Sequence, residues 1–219
     1  EKVIEINPNN VSTYNNLGSL FKKIGEYEKA IHCFDKIILV SPNNKIILRN
    51  LLNLLSSIPI KKYDPTLERL FINLFKRKDI NQNDISNNAK SLLFLKLDYN
   101  QIHEVVNSNS KLLSNIIVQQ ILKEELFHLI LQKSLITDIF VEKFLTKIRC
   151  EILSTLKNFN NNILNDYTNF INSLSEQCWY NEYIFNQTKK EIDYIIKLKD
   201  KIDNQKNINE LEVMILGCY

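Results

Sequence analysis

The sequence predicts an all-α protein in which helical hairpins stack as a short right-handed solenoid and continue into an irregular helical domain. Three observations predict this. The chain is similar to itself over the 34 residues that separate Pro8 from Pro42: EKVIEINPNN at 1–10 matches DKIILVSPNN at 35–44 almost position for position. Apolar residues recur at helical spacing, as in the stripe Tyr14, Leu17 and Phe21 and the second stripe Ala30 and Phe34. Three glycines and four prolines in 219 residues are too few turn formers for a β architecture, and no β pattern punctuated by turns is visible.

The first complete hairpin runs from Val11 to Asn44. Gly18 and Ala30 remove bulk where its two helices meet, Gly25 supplies a residue tolerant of positive φ between them, and Pro42 stops the second helix. Tyr14, Leu17, Gly18, Phe21, Gly25, Tyr27, Ala30, Phe34 and Pro42 stand where a tetratricopeptide repeat places its large, small and breaker residues, so the segment resembles that family. Residues 1–10 then read as the end of an earlier repeat. Residues 45–60 read as a degenerate later one, in which Leu48, Leu51, Leu52 and Leu55 keep the stripe and Ile58-Pro59 replaces the inter-helix glycine. The expected organisation is repeats over 1–60 and a helical domain over 61–219, truncated at its C-terminus, the whole being a fragment of a longer protein.

Beyond the repeats, Asp64-Pro65 offers an N-cap and a proline for the first helical position. Leu67, Leu70, Phe71, Leu74 and Phe75 form the following stripe, and Lys76-Arg77-Lys78 suits the negative end of a helix dipole. A polar joint is expected at 81–88, then a short helix through Leu92, Leu93, Leu95 and Leu97, and a second joint at 107–110. One long, nearly all-round apolar helix is expected over about 111–132. Thr137 or Asp138 caps the next helix, which carries Phe140, Phe144, Leu145, Ile148, Ile152, Leu153 and Leu156. After a turn at 158–162 comes a helix with Tyr167, Phe170, Ile171, Leu174, Cys178 and Trp179. An amphipathic helix over 191–203 and another beginning at Asn209 complete the chain.

Composition narrows the function. A net charge of +3 is too mild for a nucleic-acid binder, and no apolar run reaches the roughly 18 residues of a membrane span. Cys33, Cys150, Cys178 and Cys218 are scattered, without zinc-site spacing or disulfide density, which indicates reduced thiols and a cytoplasmic protein. Glu125 and His128 share a helix face at a spacing used by di-iron bundles, but no second copy of the motif exists to complete a metal site. His32 and His103 have no ligand-spaced neighbours.

The segment Gln177-Cys178-Trp179-Tyr180-Asn181-Glu182-Tyr183-Ile184-Phe185 resembles a signature of large bacterial proteins in which tetratricopeptide repeats precede an S-adenosylmethionine-dependent methyltransferase domain. Val141 to Arg149 resembles a second segment of those proteins, with Glu142, Leu145, Thr146 and Arg149 at matching places, and Gly217-Cys218-Tyr219 resembles the start of a third. The resemblance implies a catalytic domain downstream. The chain itself is expected to hold no cofactor and no catalytic residue, since Gly18, Gly25 and Gly217 do not form the glycine-rich turn a nucleotide or S-adenosylmethionine site requires. Within the motif, Asn181, Glu182 and Tyr183 are expected in a buried hydrogen-bonded cluster, with Glu142 and Arg149 serving likewise; a functional Glu182 is the other reading.

A binding role remains. Asn16 and Asn50 stand one period apart, each just before a stripe leucine, and resemble the asparagine ladder with which the repeats of protein O-GlcNAc transferases hold an extended peptide. Asn15, Ser19, Lys22, Lys23 and Arg49 would flank that groove and favour an acidic peptide. The competing reading is ordinary solvated asparagine in an Asn-rich chain. Two functions therefore stand: a non-catalytic module that binds a protein or peptide partner, or the substrate-presenting front part of a methyltransferase.

Overall fold

The computed structural model describes residues 10–108, 110–157, 161–183, 185–204 and 208–219, with Asn161 and Asn162 described by their backbone alone. The partial repeat expected over 1–10 lies outside the described residues except for Asn10, as do residues 158–160 of the expected turn and Ile184. Among the described residues there are thirteen helices and no strand. They fall into two compact units, Glu1–Leu92 and Leu93–Tyr219.

Unit 1 begins with the hairpin α1 (Val11–Lys23) and α2 (Tyr27–Val40). Asn10 caps α1 by accepting from the Thr13 amide at 3.0 Å. The helix ends in a Schellman turn: the Glu26 amide donates to Phe21 O at 2.9 Å and the Gly25 amide to Lys22 O at 3.2 Å, with Gly25 at φ +81°. The two helices approach so closely that a Cβ on Gly18 would lie 2.8 Å from Phe34 Cε2. Any larger residue there would have to push the Phe34 ring aside.

α3 (Lys45–Leu55) is capped by Asn44, and α4 (Pro65–Phe75) by Asp64 ahead of Pro65, as the sequence indicates. Leu51, Leu54, Leu55, Leu70, Phe71 and Phe75 are fully buried. Each contributes about 1.5–3 kcal/mol of hydrophobic stabilisation. The polar joint expected at 81–88 is instead the start of α5 (Asn83–Lys96). The reason is a stripe of Ile85, Ala89, Leu92 and Leu93, all buried, hidden among asparagines. Asn88 points inward and donates to Leu55 O at 2.6 Å and Ile58 O at 3.1 Å, closing the end of α3.

Unit 2 contains α6 (Tyr99–Asn107), α7 (Ile116–Ile121), α8 (Glu125–Lys133), α9 (Ile139–Lys157), α10 (Asn161–Asn165), α11 (Thr168–Tyr180), α12 (Lys189–Asp203) and α13 (Glu210–Leu216). The single helix expected over about 111–132 is broken into α7 and α8. Two polar side chains delay its start to Ile116, and residues 122–124 separate α7 from α8. Glu151 on α9 takes the Leu112 and Leu113 amides at 2.7 and 3.2 Å, and Asn115 starts α7 afresh by accepting from Ile117 and Val118. His128 then bonds Leu122 O at 2.9 Å across the break. Asp138, the second of the two proposed caps, accepts from Phe140 and Val141 at the head of α9. α11 packs against α8 and α13, and α9 touches α6, α10 and α13.

Candidate functional site

α1 and α3 touch within unit 1, and their polar residues define the first candidate surface. Asn50 Nδ2 donates to Asn15 Oδ1 at 2.9 Å, so the amides that meet are Asn15 and Asn50. Asn16 is exposed and belongs to a different environment from Asn50, its counterpart in the sequence period. The offset arises because one helical residue step rotates a side chain by about 100°. Lys22, expected to flank the groove, donates from Nζ to Asn53 O at 2.7 Å. Lys23 and Arg49 are exposed, and Ser19 is half-buried.

Among the described residues the Asn15 amide nitrogen and the Asn50 carbonyl oxygen carry no further hydrogen bond. The pair therefore offers a donor group and an acceptor group, the complement of a peptide group. Three cations, Lys22, Lys23 and Arg49, stand on the same two helices. A cleft of about 610 Å³ also opens in unit 1, lined by Tyr27, Ile31, Ile58, Pro59 and Leu67, with the pair Lys62–Glu28 at 2.6 Å on its edge. Sequence reasoning missed it. Its signal was Ile58-Pro59, which replaces an inter-helix turn by an apolar bend.

In unit 2, Arg149 is 1% exposed, and the carboxylate that approaches it is Glu191, not Glu142. Its guanidinium donates to Asn186 O at 2.8 Å and Cys218 O at 3.4 Å, lies 4.4 Å from the Tyr219 ring centre and 5.2 Å from that of Phe185, and approaches Glu191 to 4.0 Å. Among the described residues Arg149 Nε has no hydrogen-bond partner. Glu142 is half-buried one helical segment earlier on α9.

Glu191 is the missed residue. Its carboxylate accepts from the Thr188 amide at 2.7 Å, in a capping box at the head of α12, and from the Tyr219 hydroxyl at 2.9 Å. The Thr-x-x-Glu spacing was legible in the sequence; the arginine across from it was not. Burial pushes the Tyr219 hydroxyl well above the ordinary tyrosine range, against the opposing pull of Arg149.

Gln177 and Cys178 are fully buried. With its amide nitrogen turned inward, Gln177 donates to Leu131 O at 2.8 Å and Ser134 O at 3.0 Å, tying α11 to the end of α8. A thiol–thiol hydrogen bond to Cys178, reinforced by burial, pushes Cys218 well up, so it rests as a neutral thiol. These are packing roles.

The motif's other half departs from expectation. Glu182 and Tyr183 are exposed and Asn181 half-buried, so no buried cluster forms from them. The backbone explains it. α11 ends in a second Schellman turn, with the Tyr183 amide donating to Cys178 O at 2.8 Å and the Glu182 amide to Trp179 O at 3.0 Å. Glu182 and Tyr183 occupy left-handed φ values of +50° and +58°, which swing their side chains out to solvent.

Residues 11–44 match the family model described as the tetratricopeptide repeat. The hairpin α1–α2 is thus such a repeat, a unit that generally mediates protein–protein interaction. No curated protein and no solved structure matches the chain. None of these comparisons carries the methyltransferase resemblance of Val141–Arg149 and Gln177–Phe185.

Proposed function

We propose that the protein is an interaction module that holds an extended, acidic peptide segment of a partner on the α1–α3 surface. The observation that carries this reading is the Asn15–Asn50 amide pair at 2.9 Å, which presents a donor and an acceptor side by side on a repeat helix face. Lys23 and Arg49, both exposed, supply the positive field that favours acidic side chains and speeds their encounter. Lys22 adds charge while anchored to α3. The hairpin positions these groups, and chemistry on the bound segment is not part of the role.

Selection of a random peptide library against the full chain tests the reading. Enriched peptides should be rich in Asp and Glu, and their affinity by fluorescence anisotropy should fall about tenfold in the double variant Asn15→Ala, Asn50→Ala, the equivalent of one or two net hydrogen bonds. Affinity should also fall as salt rises. Enriched peptides that bind the double variant as tightly as the parent would remove the groove from the account.

A further inference from the structure

A second surface, in unit 2, carries an inference independent of the α1–α3 reading. Trp179, Tyr180 and Tyr183 are 66%, 43% and 38% exposed at the end of α11. Trp179 and Tyr180 meet edge to face, with ring centres 5.5 Å apart and planes at 68°. Glu176, Trp179 and Tyr180 stand at i, i+3 and i+4, the spacing of one face of α11, and Tyr183 follows in the turn that ends the helix. Exposed aromatics so grouped are the composition of an interface anchor, not of an ordinary solvated surface.

Glu176 and Glu182 are both exposed carboxylates, and the last turn of α11 contains no basic residue to offset the negative end of its dipole. The left-handed turn at Glu182 and Tyr183 carries backbone strain at this same place, where no glycine relieves it. Two steeply inclined π faces with exposed carboxylates three residues before Trp179 and two after Tyr180 complement a cation. A guanidinium satisfies both demands, because its plane stacks on a ring while its N–H fork meets a carboxylate. From these observations we propose that the Trp179–Tyr183 face docks an arginine-bearing segment of a protein partner.

Trp179 is the chain's single tryptophan, so its emission reports this face alone. The test titrates the full chain with a short Gly/Arg peptide, with Gly/Lys and Gly/citrulline peptides of equal length as controls. The Gly/Arg peptide should shift Trp179 emission in a saturable, salt-sensitive manner. Its affinity should drop about fivefold or more in Glu182→Gln and in Tyr180→Ala, variants of exposed side chains whose far-UV circular dichroism should match the parent. An unchanged emission up to millimolar peptide, an equal response to the lysine or citrulline peptide, or unaltered affinity in both variants overturns the proposal. So does an emission change on diluting the protein alone, which would assign the face to a second copy of the chain.

Discussion

Replacing Glu182 by glycine should stabilise unit 2, while replacing Gly25 by alanine should destabilise unit 1. Both residues sit at the same position of a Schellman turn, and the hydrogen bonds match: Glu26 N to Phe21 O and Gly25 N to Lys22 O in one, Tyr183 N to Cys178 O and Glu182 N to Trp179 O in the other. Gly25 lies at φ +81° with nothing within 4 Å of an added Cβ, so alanine there meets only backbone strain. Glu182 already bears that strain at φ +50°. A left-handed conformation costs an L residue about 1–2 kcal/mol, and the extra freedom of glycine in the unfolded chain costs about 0.5–1 kcal/mol. The net gain for Glu182→Gly is then about 0.5–1 kcal/mol, and Gly25→Ala should lose a similar amount.

Urea unfolding followed by Trp179 emission, which reports unit 2, measures the first change; far-UV circular dichroism measures the second. With a slope of about 1–3 kcal/mol per molar urea, the midpoints should move by a few tenths molar in opposite directions. Glu182→Gln removes the charge but keeps the strain, and should leave the midpoint in place. A Glu182→Gly midpoint at or below the parent's, with an unchanged slope, would refute the assignment of strain to this turn.

Two further outcomes follow from the Arg149 cluster. Arg149→Ala leaves Glu191 buried without its cation and should cost about 3–5 kcal/mol in unit 2, with part recovered when Glu191→Gln is added; equal midpoints for the single and double variants would contradict the coupling. Because burial raises the Tyr219 hydroxyl above its ordinary value near 10, the folded state holds that proton longer than the unfolded chain does. Stability from this group is present below about pH 10 and declines as pH rises beyond it, and Tyr219→Phe should flatten that decline in urea midpoints measured from pH 8 to 11.

Much of the helical architecture was legible because its signals are local. The α1–α2 hairpin announced itself through residues whose shapes are needed at fixed spacing: Gly18 under Phe34, Gly25 in its turn, Ala30 in the interface. The cap at Asp64, and that offered at Thr137 or Asp138, act on amides two or three residues away, so such caps are legible in the sequence. The start of α5 was hidden by the asparagines around its buried stripe, and the late start of α7 by a carboxylate, Glu151, that takes the Leu112 and Leu113 amides across 39 and 38 residues of chain.

What the sequence determined by itself is the class of structure and the existence of a repeat, since helix period, turn chemistry and helix capping are written within a few residues of where they act. Tertiary structure alone decided which polar groups meet: Asn50 with Asn15 instead of aligning with Asn16, Arg149 with Glu191 instead of Glu142, and Glu182 turned outward instead of buried. Those choices depend on the rotation of each helix about its axis and on which distant backbone groups need partners. No spacing along the chain encodes either.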